Sequence, residues 1–311
     1  MSGDFSFVIP TWNGKDLLER FLPAVVAAAG ENEIVISDDG STDGTAEWLR
    51  LAYPRIRLAR SQVNRGFAPA ANAGVAAAAA PIVVLLNNDL EPRSDLLAML
   101  PPWFTDAGLF GVTFRAFDLP EKVFSTGGKL GRFRRGFWES WRNFEFGSGT
   151  FLLVGGFCAF RRDAFLELGG FDPVFAPYYS EDVDLSYRAR KRGWRLGYEP
   201  EAVVWHAPSS SVKRHRGRFA RQAIIERNRL LFHWRNLDAG KLAQHLLWAH
   251  LLLPQMALKG QWAYHAGYLQ AVARMAQARR FRRQERDRWV VGDDELAVEA
   301  AGPSQRARAG I

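Results

Sequence analysis

Pro81-Ile82-Val83-Val84-Leu85-Leu86 is followed directly by Asn87-Asn88-Asp89, and this stretch is the strongest indication of the fold. A continuous uncharged run of this kind is typical of a strand that is buried on both faces at the centre of a parallel sheet. A carboxylate just past the end of such a strand is well placed to bind a divalent metal, because Mg²⁺ and similar cations prefer oxygen ligands. The sequence therefore predicts a central strand that leads into a metal-binding residue, Asp89.

The residues before this strand alternate between strand and helix patterns. Short apolar runs are separated by segments with apolar residues at helical spacing. Repeated strand–helix units of this length indicate a doubly wound α/β sheet, whose ligands bind at the carboxyl ends of the strands. The predicted strands are 5–10, 34–36, 56–59 and 81–86, and the predicted helices are 15–29, 44–52 and 67–79.

Polar residues follow each of the first three strands, where they could meet a nucleotide. One carboxylate of the pair Asp38 and Asp39 can accept the imide N–H of a uracil or thymine ring. The residues just after this pair, 41–43, can also simply cap the next helix, which is the interpretation we favour for Asp43. After the third strand, Arg65 and Gly66 offer a guanidinium group and a helix N-terminus, both of which suit a phosphate.

A second acidic cluster, Glu181-Asp182-Val183-Asp184, opens a predicted helix about ninety residues after Asp89. Residues two apart on a helix point in nearly opposite directions, so only one of Asp182 and Asp184 can face a substrate. A carboxylate there can serve as a general base. The alternative is that the acidic residues only complement the helix dipole.

Taken together and in order, these stretches resemble an inverting family 2 glycosyltransferase, close to the bacterial rhamnosyltransferase-like group. The resemblance covers residues 5–206 and implies the GT-A fold, a Rossmann-like, doubly wound and mostly parallel central sheet, here with a C-terminal helical extension. The C-terminal third matches less well, mainly at 226–230. The matching stretches are 8–13, 38–45, 64–67, 72–74, 86–89, 169–172, 181–185 and 200–206.

The resemblance also assigns roles in nucleotide binding. It implies that the nucleoside is held by Thr11, Asn13 and one carboxylate of the pair Asp38 and Asp39. The remaining residues in matching motifs complete the predicted nucleotide-binding set. They are Arg65, Gly66, Asn72 and Asn88.

For the metal and the chemistry, the resemblance implies that Asp89 binds Mg²⁺ or Mn²⁺ and that Asp182 is the catalytic base. Asn87 stands at the first position of the family's Asp-x-Asp motif, which lowers the negative charge of the site. His206 falls where some relatives place a third metal ligand, and a ligating imidazole favours Mn²⁺ over Mg²⁺. The alternative for His206 is a structural histidine at a strand end.

Charge is distributed unevenly along the 311 residues. Residues 1–208 carry 22 Lys+Arg and 25 Asp+Glu, a net charge of −3, whereas residues 209–311 carry 19 and 8, a net charge of +11. The positive field of the C-terminal third could face anionic lipid, nucleic acid or a pyrophosphate-bearing substrate. The single cysteine, Cys158, excludes an intrachain disulfide framework and favours a reducing, cytoplasmic location.

Three domains are predicted: a catalytic domain at 1–208, a basic amphipathic helical extension at 209–290 and a disordered tail at 291–311. Within the first, the Gly- and Arg-rich segment 118–147 is either an excursion over the site or a surface insertion with its own small core. Within the second, 242–258 is too short and too polar for a membrane span. Either the extension lies on an anionic membrane surface, peripheral to the inner face of the cell membrane, or its helices pack on the catalytic domain.

The predicted function is metal-assisted transfer of a sugar from a dTDP- or UDP-sugar to a glycan or lipid-linked acceptor, by a single displacement. This makes the chain a glycosyltransferase of the hexosyltransferase class, with rhamnose the leading donor sugar by resemblance. Two alternatives are a sugar-nucleotide nucleotidyltransferase and a non-catalytic membrane-surface scaffold. The first would want a Gly-rich loop after the first strand, and the second does not need Asp89, Asp182 and His206. Nucleic acid is not an expected partner, because no recognised binding module is present.

Overall fold

A large mixed sheet forms the centre of the computed structural model, which describes residues 3–142, 149–207 and 217–300. Four 3₁₀ segments lie at 96–99, 101–105, 173–175 and 286–288. The strands are β1 Phe5–Thr11, β2 Glu33–Asp38, β3 Arg57–Arg60, β4 Ile82–Leu86, β5 Leu90–Pro92, β6 Leu109–Asp118, β7 Val123–Thr126, β8 Lys129–Arg134, β9 Phe137–Arg142, β10 Phe157–Arg161 and β11 Arg195–His206. The helices are α1 Lys15–Ala29, α2 Thr45–Ala52, α3 Phe67–Ala77, α4 Arg162–Glu167, α5 Glu181–Lys191, α6 Arg218–Asn236, α7 Ala239–Leu258, α8 Trp262–Val272, α9 Met275–Glu285 and α10 Asp293–Ala300.

The strand order is β3-β2-β1-β4-β10-β6-β11-β5, with β7 paired to β6. The first four strands in this order are parallel, as the alternation of strands and helices predicts. Beyond β4 the sheet is mixed, because β10 runs antiparallel to both β4 and β6. The α/β fold class is confirmed, and the carboxyl ends of β1, β2 and β4 lie along one edge of the sheet.

Both faces of the sheet are covered, which explains the unbroken apolar run in β4. Its side chains alternate between two cores: Val84 belongs to the core that includes the apolar face of α1, and Val83 to the core beneath α3. The small residues of α3 allow a close approach to the sheet. A Cβ on Gly74 would lie 2.5 Å from Cγ1 of Val8.

The segment 118–147 is more regular than an excursion over the site. In its described part, β7 pairs with β6 of the central sheet, and β8 and β9 form a separate antiparallel hairpin. Phe137 and Trp138 of the hairpin are buried in a third core, together with residues of α6 and α7. The backbone N–H of Trp138 donates to Nε2 of His233, 2.8 Å away. The hairpin is therefore a docked element that shares a core with the C-terminal helices.

The C-terminal helices are packed against the sheet domain rather than separated from it. Asn236 of α6 donates to the buried Asp184 of α5 at 2.8 Å. The prediction of a disordered tail is wrong for 293–300, which form α10. Asp293 is buried there between Tyr187 and Lys191, at 2.6 and 2.7 Å, and these contacts supply the stability that the local composition lacks. Residues 301–311 of the predicted tail lie outside the described residues.

Candidate functional site

A carboxylate and an imidazole meet at the end of the sheet. Asp89 lies between β4 and β5, and its Oδ2 is 3.6 Å from Nε2 of His206, the last residue of β11. His206 pairs with Leu90 of β5 on one side and with Asp118 of β6 on the other. This register brings together two residues that are 117 positions apart, as the resemblance implies.

Asp118 fixes the orientation of the histidine. Its Oδ1 lies 2.9 Å from Nδ1 of His206, so the other ring nitrogen, Nε2, is directed at Asp89. The Asp89 carboxylate and then that of Asp118 raise the pKa of His206 to about 8, although burial acts against them. A metal-ligating histidine is commonly held in this way by a carboxylate on its second nitrogen.

The donor set at this point fits a divalent cation of the Mg²⁺ or Mn²⁺ type. The protein supplies one carboxylate and one imidazole, and such cations usually complete their shells with substrate phosphates and water. Within 3–142, 149–207 and 217–300, no group of three or more His, Cys, Asp or Glu side chains is arranged to hold a metal. Asn87 contacts Gly156 instead: a Cβ on that glycine would lie 2.4 Å from Nδ2 of Asn87.

Asn88 and Thr11 are joined at the ends of β4 and β1. Nδ2 of Asn88 donates to Oγ1 of Thr11 at 2.8 Å, which ties the two strand ends together. Gly14 leaves just enough room for this bond, because a Cβ there would lie 2.4 Å from both bonded atoms. Two predicted nucleotide-binding residues are therefore adjacent at the same edge as Asp89.

The two carboxylates that follow β2 have different surroundings. Oδ1 of Asp38 accepts from the backbone N–H of Ser41, and its Oδ2 lies 3.3 Å from Nε of Arg60. Oδ2 of Asp39 accepts from the backbone N–H groups of Arg65 and Gly66, at 2.8 and 2.7 Å. Oδ1 of Asp39 is buried and has no hydrogen-bond partner in the part of the chain that is described. Oδ2 of Asp38 also lacks a hydrogen-bond partner there, but it is paired with the Arg60 guanidinium. We therefore favour Asp39 as the carboxylate that is available to a ligand.

The remaining predicted nucleotide contacts have local structural duties. The side-chain oxygen of Asn13 accepts from the backbone N–H of Thr42 at 2.8 Å and so joins the loops after β1 and β2. The side chain of Arg65 is exposed and donates to Ser61. Asn72 uses both ends of its amide on the backbone of Phe171, at 2.8 and 2.9 Å. This geometry indicates a structural role for Asn72 rather than the predicted nucleotide contact.

Asp182 opens α5 beside the loop that precedes β10. Its Oδ2 accepts from the backbone N–H of Gly155 at 3.3 Å, and its Oδ1 from that of Val183 at 2.8 Å. The next residue, Gly156, accepts from the backbone N–H of Asn87 at 2.8 Å. Asp182 is therefore connected to the segment that carries Asp89 through its side-chain hydrogen bond with Gly155, the Gly155–Gly156 peptide and the backbone hydrogen bond from Asn87 to Gly156.

The carboxyl groups at the start of α5 are held in a poorly solvated environment. Burial raises the pKa of Asp182, while its backbone hydrogen bonds and the Lys129 ammonium act in the opposite direction. Burial, and then the Asp182 charge, raises the pKa of Glu181 to about 8. A raised pKa in a carboxyl group is the property that a general base near neutral pH requires.

Asp184 faces the opposite way and is structural, as the helical spacing predicts. It is buried and lies 2.7 Å from Nε of Arg188, with Asn236 donating to its other oxygen. Burial raises the pKa of Asp184, but the charges of Arg188 and Arg235 more than offset this and lower it overall. A carboxylate so fully paired is not available as a base.

Sequence reasoning missed two residues that shape the site. Asp118 ends a strand that was not predicted, so nothing in the sequence indicated that it lies beside His206. Asn228 lies within the matching stretch 226–230, but nothing in its local pattern shows what it contacts. Its buried amide donates to three carbonyl groups in the loop before α5, at 2.7, 2.9 and 2.9 Å. The acceptors are Phe175, Tyr178 and Tyr179.

Two family models match the chain. Residues 6–169 match the model described as glycosyl transferase family 2, and residues 92–277 match that described as glycosyl transferase family group 2. An N-acetylglucosaminyl-diphospho-decaprenol L-rhamnosyltransferase of Mycobacterium tuberculosis is 31% identical over 245 residues, which cover 67% of this chain and 77% of that protein. A poly-beta-1,6-N-acetyl-D-glucosamine synthase of Staphylococcus aureus is 27% identical over 209 residues, 64% of this chain and 49% of its own length.

Solved structures are similar at lower identity and therefore support the fold. S. aureus TarS 1-349 in complex with UDP-GlcNAc superimposes with a TM-score of 0.61 at 14% identity, over 99% of this chain and 92% of that one. GalNAc-T7 with UDP, GalNAc and Mn²⁺ gives 0.60 at 20% identity, over 76% of this chain and 48% of that one. The mannosyltransferase PcManGT of Pyrobaculum calidifontis, with GDP-Man and Mn²⁺, has a TM-score of 0.54 at 19% identity, over 96% of this chain and 86% of that one.

The fold, the family models and the mycobacterial relative agree with one another and with the sequence motifs. A GT-A sheet carries the expected polar residues at its edge, the two family models together span residues 6–277, and the relative exceeds 30% identity over most of its own length. The chain belongs to glycosyltransferase family 2, in its rhamnosyltransferase-like group, and is a glycosyltransferase.

Proposed function

We propose that this glycosyltransferase transfers a sugar, with rhamnose as the leading candidate, from a dTDP- or UDP-sugar to a glycan or lipid-linked acceptor with inversion at the anomeric carbon. The observation that carries the proposal is the arrangement at one edge of the sheet. The Asp89–His206 pair, the available oxygen of Asp39 and the poorly solvated carboxyl of Asp182 belong to connected strand ends and loops.

Asp39 recognises the nucleobase of the sugar-nucleotide donor. Its Oδ2 is fixed by two backbone N–H groups, which leaves Oδ1 to accept the imide N–H of uracil or thymine. Cytosine lacks this N–H, so the contact selects against it. A buried acceptor without a donor costs about 1–3 kcal/mol, and a bound base would recover part of this energy. Thr11 and Asn88 lie at the adjoining strand ends, where they can contact the rest of the nucleotide.

Asp89 and His206 would hold the divalent cation, with Asp118 keeping the imidazole in position. When bound there, a divalent cation neutralises negative charge on the leaving diphosphate. The site carries little negative charge, because Asn87 stands in place of a carboxylate. We therefore expect weak metal binding in the absence of nucleotide. Support also comes from the Mn²⁺ present with nucleotide ligands in the crystallised GalNAc-T7 and PcManGT.

Asp182 is the base in the proposed reaction. Its carboxylate accepts the proton of an acceptor hydroxyl, the hydroxyl oxygen bonds to the anomeric carbon, and the bond from that carbon to the diphosphate oxygen breaks. One displacement of this kind inverts the anomeric configuration and releases the nucleoside diphosphate. The loop before α5, with Tyr179 at its end, lies next to the base and would meet the acceptor.

The acceptor class follows the name of the mycobacterial relative, which acts on an N-acetylglucosaminyl-diphospho-decaprenol. A glycan carried on a lipid diphosphate is therefore the acceptor to test first. Donor binding does not depend on this acceptor, so the donor site can be tested without it.

The test is a thermal-shift panel of nucleoside diphosphate sugars, each with and without Mn²⁺. A ligand present at about 100 times its dissociation constant should add about 2.7 kcal/mol of stability. We expect dTDP- and UDP-sugars to stabilise the protein, and CDP-sugars not to do so. The Asp39→Asn variant should lose this preference, because an amide can both donate and accept, whereas Asp163→Asn at an exposed position of α4 should keep it.

The absence of a shift with every dTDP- and UDP-sugar would refute the proposed donor. Equal stabilisation by CDP-sugars would refute the role of Asp39 and leave the metal and base assignments standing.

A further inference from the structure

Helix α7 presents an unpaired apolar face to solvent. Leu247, Leu251 and Leu258 are 60%, 45% and 89% exposed, and intervals of four and seven residues place them on one face of the helix. The opposite face is the one that packs, since His245 and Ala249 are buried. Three exposed leucines on one helix form a continuous apolar strip rather than isolated surface residues.

The neighbouring helix also exposes large apolar side chains. Trp262 and Leu269 of α8 are 58% and 68% exposed and lie seven residues, or two helical turns, apart. The two helices are joined by a short turn in which the backbone N–H of Gln261 donates to Met256 at 2.8 Å. The turn brings Leu258 and Trp262 to the same end of the helix pair. We call this set of five residues, on α7 and α8, the apolar strip.

The strip lies within a segment of one charge sign. From 239 to 284 the sequence contains seven Lys and Arg residues and no Asp or Glu. Lys259 lies in the turn itself, and Arg279, Arg280 and Arg283 are exposed on the helix that follows. An exposed apolar face with an aromatic residue and surrounding cations is the pattern of a helix that lies in the interface of an anionic bilayer.

We propose that the apolar strip docks this protein on an anionic lipid bilayer, with the leucines and Trp262 in the interfacial region and the cations at the headgroups. This inference goes beyond sugar transfer and does not depend on it. A second copy of the chain is a poorer occupant, because the segment offers no acidic residue to meet the cations of the other copy. Among the described helices, none has the length and hydrophobicity of a membrane span.

The experiment is vesicle flotation with the full chain. Vesicles of phosphatidylcholine alone are compared with vesicles that also contain phosphatidylglycerol, at low and high salt. We expect flotation with the anionic vesicles and a loss of binding as salt screens the headgroups. Removing one cation with Arg280→Gln should weaken binding about fivefold.

The decisive variant is the double substitution Leu258→Glu and Trp262→Glu, with Leu51→Glu as its matched control. Leu51 is 85% exposed on α2, far along the chain from the strip. All three positions are exposed, so the thermal midpoint should change little. The double variant should lose at least about tenfold in vesicle affinity, because charge replaces inserted apolar surface, while the control should bind as the wild type does.

Two results would overturn the proposal. One is equal vesicle binding by the double variant and the wild type. The other is a concentration-dependent dimer that the double variant abolishes, which would assign the strip to a second copy of the chain. Stabilisation by dTDP- and UDP-sugars is measured on the same variants, so a failure of membrane docking is distinguishable from a failure of the donor site.

Discussion

Replacing Asn228 by alanine should loosen the loop that carries the base. The buried amide of Asn228 has two N–H groups and three carbonyl acceptors in this loop. The loop ends in Tyr179 and Ser180, which have φ values of 72° and 76°. Residues other than glycine hold such a conformation only where the surrounding structure enforces it. Asn228 supplies part of that constraint.

The magnitude follows from the lost bonds. One buried and two partly buried carbonyl groups lose the amide donor in Asn228→Ala. An unsatisfied buried group costs about 1–3 kcal/mol, so we expect a loss of this size in the free energy of unfolding. A domain with a stability of about 5–15 kcal/mol remains folded after such a loss. Because the loop leads directly into α5 and Asp182, kcat should fall while the dissociation constant of the donor stays within about twofold.

Denaturant unfolding, donor titration and sugar-transfer kinetics measure these three quantities. The matched control is Gln222→Ala on the same helix, where an exposed amide contacts Glu226 at 2.9 Å. A loss of stability in Asn228→Ala no larger than in this control would refute the account of the loop. An unchanged kcat with reduced stability would show that Asn228 is purely structural.

Three further predictions concern the site itself. Asp182→Asn should bind donor normally and abolish transfer; transfer at the wild-type rate would refute the assignment of the base. The pKa of Asp182 is raised, so kcat/KM should increase with pH through a range above that of an ordinary Asp. Lys129→Met should shift this increase to higher pH, because it removes a positive charge that lowers the pKa of Asp182. Gly14→Ala should weaken nucleotide binding in calorimetry by breaking the bond from Asn88, whereas Gly240→Ala, in open space, should not.

The carboxyl groups of Glu181 and Asp182 should make stability fall with rising pH, whereas transfer should increase. A carboxyl group whose pKa is higher in the folded protein than in the unfolded chain favours folding at low pH, and its contribution is lost as pH rises through the folded pKa. For Glu181 that loss extends from the ordinary titration range of Glu up to its folded pKa of about 8, where it is complete. The conditions that charge the proposed base are therefore those in which this helix start is least stable.

The parallel half of the sheet could be predicted from the sequence because its signals are local. The apolar run before Asn87 and the helix after Gly66 lie where the patterns indicate. The mixed half, in which β10 is antiparallel to its neighbours and β11 is parallel to β6, could not be predicted in this way. β6 and β10 are far apart in the chain, and neither has the strand–helix alternation that marks a parallel unit. The hairpin β8–β9 became ordered through contacts with α6 and α7, which its own sequence does not show.

Some residues of the candidate site could likewise be found from local sequence motifs, and others could not. Asp89, His206 and Asp182 were found from ordered motifs, and the structure connects the elements that carry them. The choice between Asp38 and Asp39 needed the structure, because it depends on Arg60 and on two backbone N–H groups from another loop. Asp118 and Asn228 act through contacts between distant segments, for which the sequence alone gives no rule.

In the proposed reaction, one edge of the sheet brings a cation and a nucleoside diphosphate together with the proton acceptor Asp182. Anomalous diffraction from crystals grown with Mn²⁺ and the sugar nucleotide that stabilises the protein most tests it directly. We expect a manganese peak in contact with Asp89, His206 and the diphosphate. We also expect the Asp182 carboxylate on the side of the anomeric carbon opposite the diphosphate. A peak away from Asp89, or a sugar out of reach of Asp182, would contradict it.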